Sequence, residues 1–438
     1  LASLVPADVP SRVLAGTVVA LIGCVMVFGS ITAVRNPRWS PIDEAAHFSY
    51  IQQIAQHGSL PVLGRTFVSE PVLAIGEGRY PRPATVSARH DGLTGLSYEA
   101  FQPPLYYALA VPVFELSGNY QTKAILLRFF DLVLLLVSIG LFGRLCRLVL
   151  KDRWLFGMAT GMLAFALPGV VVVSVLISNM SLETPLVIAC VSELWVAWEQ
   201  SSPVRVLSAS VLVGLAILTD LFGLVLLPAV VVVGVMVLWR HHARRDVATV
   251  GVGAVLAGLI VAPWLAFNEI TYHALTASAL AKAEQTPVVN PHHLHYSVAL
   301  VGRLTVEKLF APAVPQGWTL TGQGLASWVP DVLGALLVAA PLLAGASLGR
   351  RLAGTGYWLL AMPWLCSVAM CWGITLGGQW LTMHSRYTYP TLPVLTLVLA
   401  ASAVLVVRRL RIYVVGVATC GVLVILAWAV LFPQIATR

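Results

Sequence analysis

Apolar runs recur along almost the whole chain, near 13 to 34, 124 to 146, 154 to 177, 183 to 199, 204 to 219, 222 to 239, 247 to 267, 331 to 348, 357 to 376, 388 to 407 and 412 to 432. Each is of a length that crosses roughly 30 Å of hydrocarbon as a helix. Inside hydrocarbon the backbone N–H and C=O groups have only one another as partners, so such runs fold as helices. With 58% hydrophobic and only 11% charged residues, the chain carries too much apolar surface for a soluble core. The expectation is an all-α polytopic membrane protein, a single integral membrane domain over 1–438. The first run has no small-residue cleavage site behind it and reads as a retained span.

The formal charge of +8 does not point to nucleic acid, because the arginines stand in short clusters between apolar runs. These clusters are Arg144/Arg147/Lys151/Arg153, Arg240/Arg244/Arg245, Arg350/Arg351 and Arg408/Arg409/Arg411. Eleven crossings place all four on one side, as orientation by cytoplasmic basic residues requires. The N-terminus is then cytoplasmic and the C-terminus external. The segment 103 to 116 is apolar but short, and reads as a re-entrant or interfacial helix. Two long loops, 35–123 with short interfacial helices and 268–330, then lie outside, so that His90, His293 and Gln379 are external while Arg240 and Arg408 are cytoplasmic. The six cysteines lie in or at the ends of apolar runs without metal-type spacing, which predicts no disulfide and no cysteine chemistry.

Ionisable groups beside a bilayer are costly to desolvate, which draws attention to three places. The first is the run Asn36-Pro37-Arg38-Trp39-Ser40-Pro41-Ile42-Asp43-Glu44-Ala45-Ala46-His47 just after the first span. Ser40 as N-cap, Pro41 at the first helical position and acids in the first turn predict a helix start. On that helix Asp43, Glu44 and His47 would share one face, three and four residues apart. The second is Glu99-Ala100-Phe101-Gln102-Pro103-Pro104-Leu105-Tyr106-Tyr107, where a double proline fixes an extended entry into an apolar helix. The third is His384-Ser385-Arg386-Tyr387-Thr388-Tyr389-Pro390-Thr391-Leu392-Pro393, where an arginine fork beside a phenol suits a phosphate at headgroup depth. Elsewhere, Asp131 one helical turn from Arg128 reads as a local ion pair, and the histidines of Asn290-Pro291-His292-His293-Leu294-His295 as a polar loop without metal.

The acidic pair after the first span, the x-Pro-Pro-Leu-Tyr-Tyr run and the Arg-Tyr-x-x-Pro-x-x-Pro run together resemble the glycosyltransferase C superfamily. The resemblance is to protein O-mannosyltransferases and lipid A aminoarabinose transferases. It implies a helical bundle of about 11 to 13 transmembrane helices with two long external loops. It also implies a sugar donor carried on polyprenyl phosphate and a hydroxyl acceptor, which a glycan, a protein or a secreted small molecule could supply. By position, Asp43 is the catalytic carboxylate, with Glu44 and His47 beside it, and Gln102, Arg386 and Tyr387 face the donor phosphate. Gln102 stands where relatives usually have His or Lys, which brings Arg303 and Lys308 of the second loop in as further phosphate ligands. Asn179-Met180 and Leu218-Thr219-Asp220 depart from Asn-Asp and Leu-Thr-Lys, leaving Glu183 and Asp220 with Glu99, Tyr106 and His384 as pocket candidates.

The implied chemistry is a single displacement with inversion. Asp43 takes the acceptor's proton, and the arginine neutralises the departing phosphate. No cofactor is required, although the carboxylates and His47 could admit a divalent metal. The site would lie on the outer face of a plasma membrane, and the Val-, Ala- and Leu-rich, Lys-poor composition is compatible with a bacterial source. The rival from another class is a lipid or small-molecule transporter or flippase, which tends to place ionisable residues near the midplane and to show internal repeats.

Overall fold

The structure, a computed structural model, describes residues 11–35, 39, 43–76, 97–241, 243–278, 280, 297–305, 329–348, 355–376, 385–406 and 410–437. It is helical throughout, with no β-strand among the described residues. In chain order the helices are α1 (Ser11–Arg35), α2 (Glu44–His57), α3 (Glu70–Gly76), α4 (Leu105–Phe114), α5 (Tyr120–Leu150), α6 (Trp154–Phe165), α7 (Pro168–Val175) and α8 (Met180–Gln200). Then follow α9 (Pro203–Ile217), α10 (Leu227–His241), α11 (Arg244–Tyr272), α12 (Val298–Leu304), α13 (Val329–Ser347), α14 (Trp358–Leu376), α15 (Leu392–Val406) and α16 (Leu410–Thr437). Short 3-10 turns at Tyr98–Phe101, Lys151–Arg153, Leu221–Leu226 and Ser385–Thr388 join them.

Six stretches among the described residues are long and apolar enough to cross a membrane: Ser11–Arg35, Tyr120–Phe165, Met180–Gln200, Leu221–Arg240, Arg244–Tyr272 and Trp358–Leu376. Leu105–Phe114, Pro203–Ile217, Val332–Ser347, Leu392–Val404 and Tyr413–Trp428 are shorter apolar helices. The chain is a multi-pass membrane protein. The run 154–177, expected as one continuous span, is broken between α6 and α7, where Pro168 opens the second helix with no N–H to continue the first. Almost every residue of both pieces is buried, so their unbroken hydropathy reflects a place at the centre of the bundle. Glycine makes that place tight: a Cβ at Gly161 would collide with the Phe142 ring.

Around this centre α5 packs on α6 and α8, α8 on α9, α9 on α11, α1 on α6 and α16, and α13 and α14 on α15. A second apolar cluster, with Phe48, Tyr50, Ile51, Tyr106, Tyr107 and Phe114 at its heart, holds α2 against α4 and the start of α5. The 10 residues of α4 extend about 15 Å, too short to cross.

Helix α5 joins two differently charged ends of the molecule. Near its start Arg128 meets α2, whereas 16 residues later, about 24 Å along the axis, Arg144 donates to Glu193 at 2.9 Å. Arg205 takes the other oxygen of Glu193 at 2.8 Å, and Arg240 bonds the Trp198 carbonyl and the Ser201 hydroxyl. The arginines of three helices thus gather at the end of the bundle away from α2.

Candidate active site

The site is built where the start of α2, the turn Tyr98–Phe101, the start of α8, the α9 exit and the turn Ser385–Thr388 come together. Asp43 is the residue before α2 and sits at φ 56°, ψ 0°, a left-handed conformation that costs a non-glycine residue on the order of 1 kcal/mol. Aspartate tolerates it better than most side chains. Its carboxylate makes no capping bond to its own helix. It turns instead to residues from elsewhere: Tyr98 OH donates to Oδ1 at 2.8 Å, and Arg386 Nη1 to Oδ2 at 2.8 Å. Arg386 Nη2 donates to the Tyr387 hydroxyl at 3.1 Å, and the Tyr387 ring stacks on Phe222 at 4.7 Å between centroids.

This arrangement corrects the expected helix start. The helix begins at Glu44, later than a Ser40 cap implies, and Asp43 stands outside it. Ser40 and Pro41 lie outside the described residues. Asp43, Glu44 and His47 therefore do not share one helical face. Glu44 is fully buried, with Arg128 Nε on Oε1 at 2.7 Å and Arg128 Nη2 on Oε2 at 2.9 Å, and is not placed to assist at a substrate. The expected Arg128–Asp131 pair is absent for the same reason. Once α2 delivers Glu44, a two-pronged bond is geometrically better than a neighbour on the same helix. Both oxygens of Asp131 accept from Tyr106 OH at 3.0 Å, which places Tyr106 under the site as a support. His47 Nδ1 lies 2.8 Å from Tyr107 OH, and Tyr107 stacks on Tyr50 at 3.8 Å.

Glu99 neighbours Asp43, and Gln102, just before the double proline, hydrogen-bonds Glu99. The Tyr50 hydroxyl donates to the Gln102 carbonyl at 3.0 Å, fixing the turn. Asn179 Nδ2 reaches Gln102 Oε1 at 3.3 Å, the Thr219 carbonyl at 3.1 Å and Asp220 Oδ2 at 2.9 Å. Asp220 Oδ1 accepts from the Phe222 N–H at 2.8 Å, capping the next turn. Glu183 is buried in the first turn of α8. Two polar atoms of the site, Glu99 Oε2 and Arg386 Nε, are buried without a hydrogen-bond partner among the described residues. Exposure separates the two neighbouring carboxyls. The Asp43 side chain is 24% exposed and open to a substrate, whereas Glu99 Oε2 is sealed behind it.

The electrostatics follow from this geometry. Burial alone would raise the Asp43 carboxyl, but Arg386, His47 and the Tyr98 hydrogen bond hold it below the usual carboxylate range. Burial, with the charge of Asp43 beside it, pushes Glu99 up to about 8, so it is largely protonated at neutral pH. Asp220 is pushed up to about 6 by burial, against the pull of the Phe222 and Asn179 hydrogen bonds. Burial lowers His47 to about 4 and keeps its imidazole neutral. Arg386 is raised despite its burial, by Tyr387 and Asp43, and stays charged.

The structure thus brings Asp43, Glu99, Gln102, Asp220, Arg386 and Tyr387 together, with His47 behind them. Arg303 is exposed at the end of α12. Lys308 and His384 lie outside the described residues, as do His90, His293, Gln379 and Arg408. Among the described residues no group of three or more His, Cys, Asp or Glu side chains is spaced to hold a metal ion. The expectations from sequence gave Tyr98 and Asn179 no role and paired Arg128 with Asp131. The available signals were the adjacency of Tyr98 to Glu99 and, for Arg128, an arginine within an apolar stretch, which needs a carboxylate that can come from another helix.

No family model matches the chain, and no curated protein matches it. Among solved structures it is similar to ArnT from Cupriavidus metallidurans bound to undecaprenyl phosphate, at 15% identity and a TM-score of 0.47 over 88% of this chain and 60% of that one. ArnT is a lipid A aminoarabinose transferase. It is also similar to the Archaeoglobus fulgidus oligosaccharyltransferase AglB in complex with an inhibitory peptide and a dolichol-phosphate, at 12% identity and a TM-score of 0.44 over 94% of this chain and 55% of that one. The likeness is partial in both cases, and the chain spans little more than half the length of each.

Proposed function

We propose that the protein is a glycosyltransferase that moves a sugar from a polyprenyl-phosphate carrier to an acceptor hydroxyl at the external face of a bacterial plasma membrane, with inversion. The observation that carries this reading is the Asp43–Arg386 pair at the mouth of a buried polar site beside membrane-spanning helices. An ionised, substrate-accessible carboxylate beside a permanently charged guanidinium supplies the two groups such a transfer needs.

Asp43 is the base. It takes the proton of the acceptor hydroxyl as the new C1–O bond forms, while the bond from C1 to the phosphate oxygen breaks and its electron pair leaves with the lipid phosphate. Arg386 and the Tyr387 hydroxyl receive that phosphate, and the low local dielectric strengthens their bonds as charge develops. Gln102, Asn179 and Asp220 hold the floor of the site, and Arg303 and Lys308 are further candidates for the lipid phosphate. Basic residues gathered at the far end of α5 favour a cytoplasmic placement of that end and an external site, with the N-terminus inside and the C-terminus outside. Incubating the purified protein with defined polyprenyl-phosphate sugars and following loss of the lipid-linked label tests the proposal. No consumption of any donor by folded protein would leave the transporter reading in its place.

A further inference from the structure

Arg386 is the cation nearest the Asp43 carboxylate among the described residues, and it faces two claims. One nitrogen is bound to Asp43, a second to Tyr387, and the third, Nε, is buried and without a partner among the described residues. The guanidinium carries a single positive charge, and Asp43 already neutralises it. An anion arriving at the partly exposed guanidinium therefore enters a site with no spare charge and lies one guanidinium away from a carboxylate.

Asp43 is poised for a change of partner. Its backbone is held left-handed at φ 56°, its carboxylate makes no capping bond to its own helix, and apart from Arg386 that carboxylate has the Tyr98 hydroxyl alone as a hydrogen-bond donor among the described residues. A carboxylate bound to arginine is a poor base, since the ion pair stabilises the form without the proton. The same carboxylate deprived of its counter-ion is a much better one.

We propose that the donor phosphate and Asp43 compete for the charge of Arg386, so that arrival of the phosphate at the guanidinium takes the counter-ion from Asp43 and makes it a base only when a donor is in place. This deepens the transferase reading and rests on its assignment of Arg386 to the phosphate. No covalent step is added. The proton still passes from acceptor hydroxyl to Asp43, and the donor sets when Asp43 is able to take it. An empty site is then kept from abstracting protons from water or from an acceptor alone.

The test is binding without turnover. The full chain in lipid nanodiscs is titrated at pH 7.5 with a short polyprenyl phosphate lacking sugar, and with the matching prenyl alcohol as the uncharged control. Asp43→Asn keeps the shape and still accepts from Tyr98 and Arg386 but withdraws the competing charge. It is expected to tighten prenyl-phosphate binding about tenfold and leave the alcohol unchanged, whereas Arg386→Gln weakens phosphate binding. Tyr98→Phe takes one donor from Asp43, makes it depend more on Arg386, and is expected to weaken phosphate binding about threefold. Unchanged or weaker phosphate binding in a folded Asp43→Asn overturns the competition while leaving Arg386 as phosphate ligand. Should that variant fail to fold, unchanged or tighter binding in Tyr98→Phe overturns it. If neither wild type nor any variant binds prenyl phosphate, the transferase reading itself falls.

Discussion

Arg386 Nη1 lies 2.8 Å from Asp43 Oδ2, although 343 positions separate the two residues. The segment that follows α1 and the turn that opens α15 are thereby tied into one site. The side chain of Arg386 is 16% exposed and that of Asp43 24%, so the pair is shielded from bulk screening but reachable.

Replacement of Arg386 by Ala is expected to impair donor use severely, and replacement by Lys to restore part of it, because lysine keeps the charge and loses the planar fork. The readout is KM for the lipid-linked donor, with kcat followed in parallel. Equal donor KM in wild type and Arg386→Ala would mean that the guanidinium serves only Asp43.

Glu44 and Arg128 are expected to matter for folding. Breaking a buried, two-pronged pair from one side leaves an uncompensated charge and costs about 3–5 kcal/mol. Glu44→Gln and Arg128→Gln should each lower the thermal midpoint sharply, while the apolar double replacement Glu44→Leu with Arg128→Met recovers much of the loss. A Glu44→Gln protein of normal stability but no turnover would return Glu44 to a catalytic role.

Glu99 sets an alkaline limit. Its folded value of about 8 lies above the ordinary 4.5, so its neutral form is favoured by the fold, and the favourable state is lost as pH rises toward 8. Glu99→Gln is expected to be the more stable protein, with a gap that widens by about 1 kcal/mol per pH unit between 4.5 and 8 and is flat above. Thermal midpoints across pH 5 to 9 would show it. Parallel curves for the two proteins would contradict the assignment.

The helical, membrane-spanning character was legible because hydropathy over some twenty residues has one structural solution in hydrocarbon. The short α4 was legible too, from its length. The break at Pro168 was harder to see, since a proline inside an apolar run kinks some helices and ends others. The three motifs supply the segments that the fold brings together around Asp43, Glu99, Gln102 and Arg386. Their partnerships were illegible. Reading Arg128 with Asp131 used the nearest neighbour in sequence, and the true partner came from 84 residues away on a helix whose register rests on the left-handed turn at Asp43. A non-glycine residue in that conformation leaves little trace in the sequence.

Asp43 carries the central claim, and a helix-start residue and a base differ in what their loss does. Losing a local capping or turn contact costs about 1 kcal/mol of stability, whereas losing a general base costs on the order of 100-fold to 10,000-fold in rate. The most direct measurement is single-turnover transfer of labelled sugar from polyprenyl phosphate by wild type and Asp43→Asn, each with its thermal midpoint recorded. The account predicts a rate lower by at least about 100-fold in a variant that melts near wild type and still binds donor. Near-normal transfer by Asp43→Asn would contradict it and move the search for the base to Glu99 or Asp220.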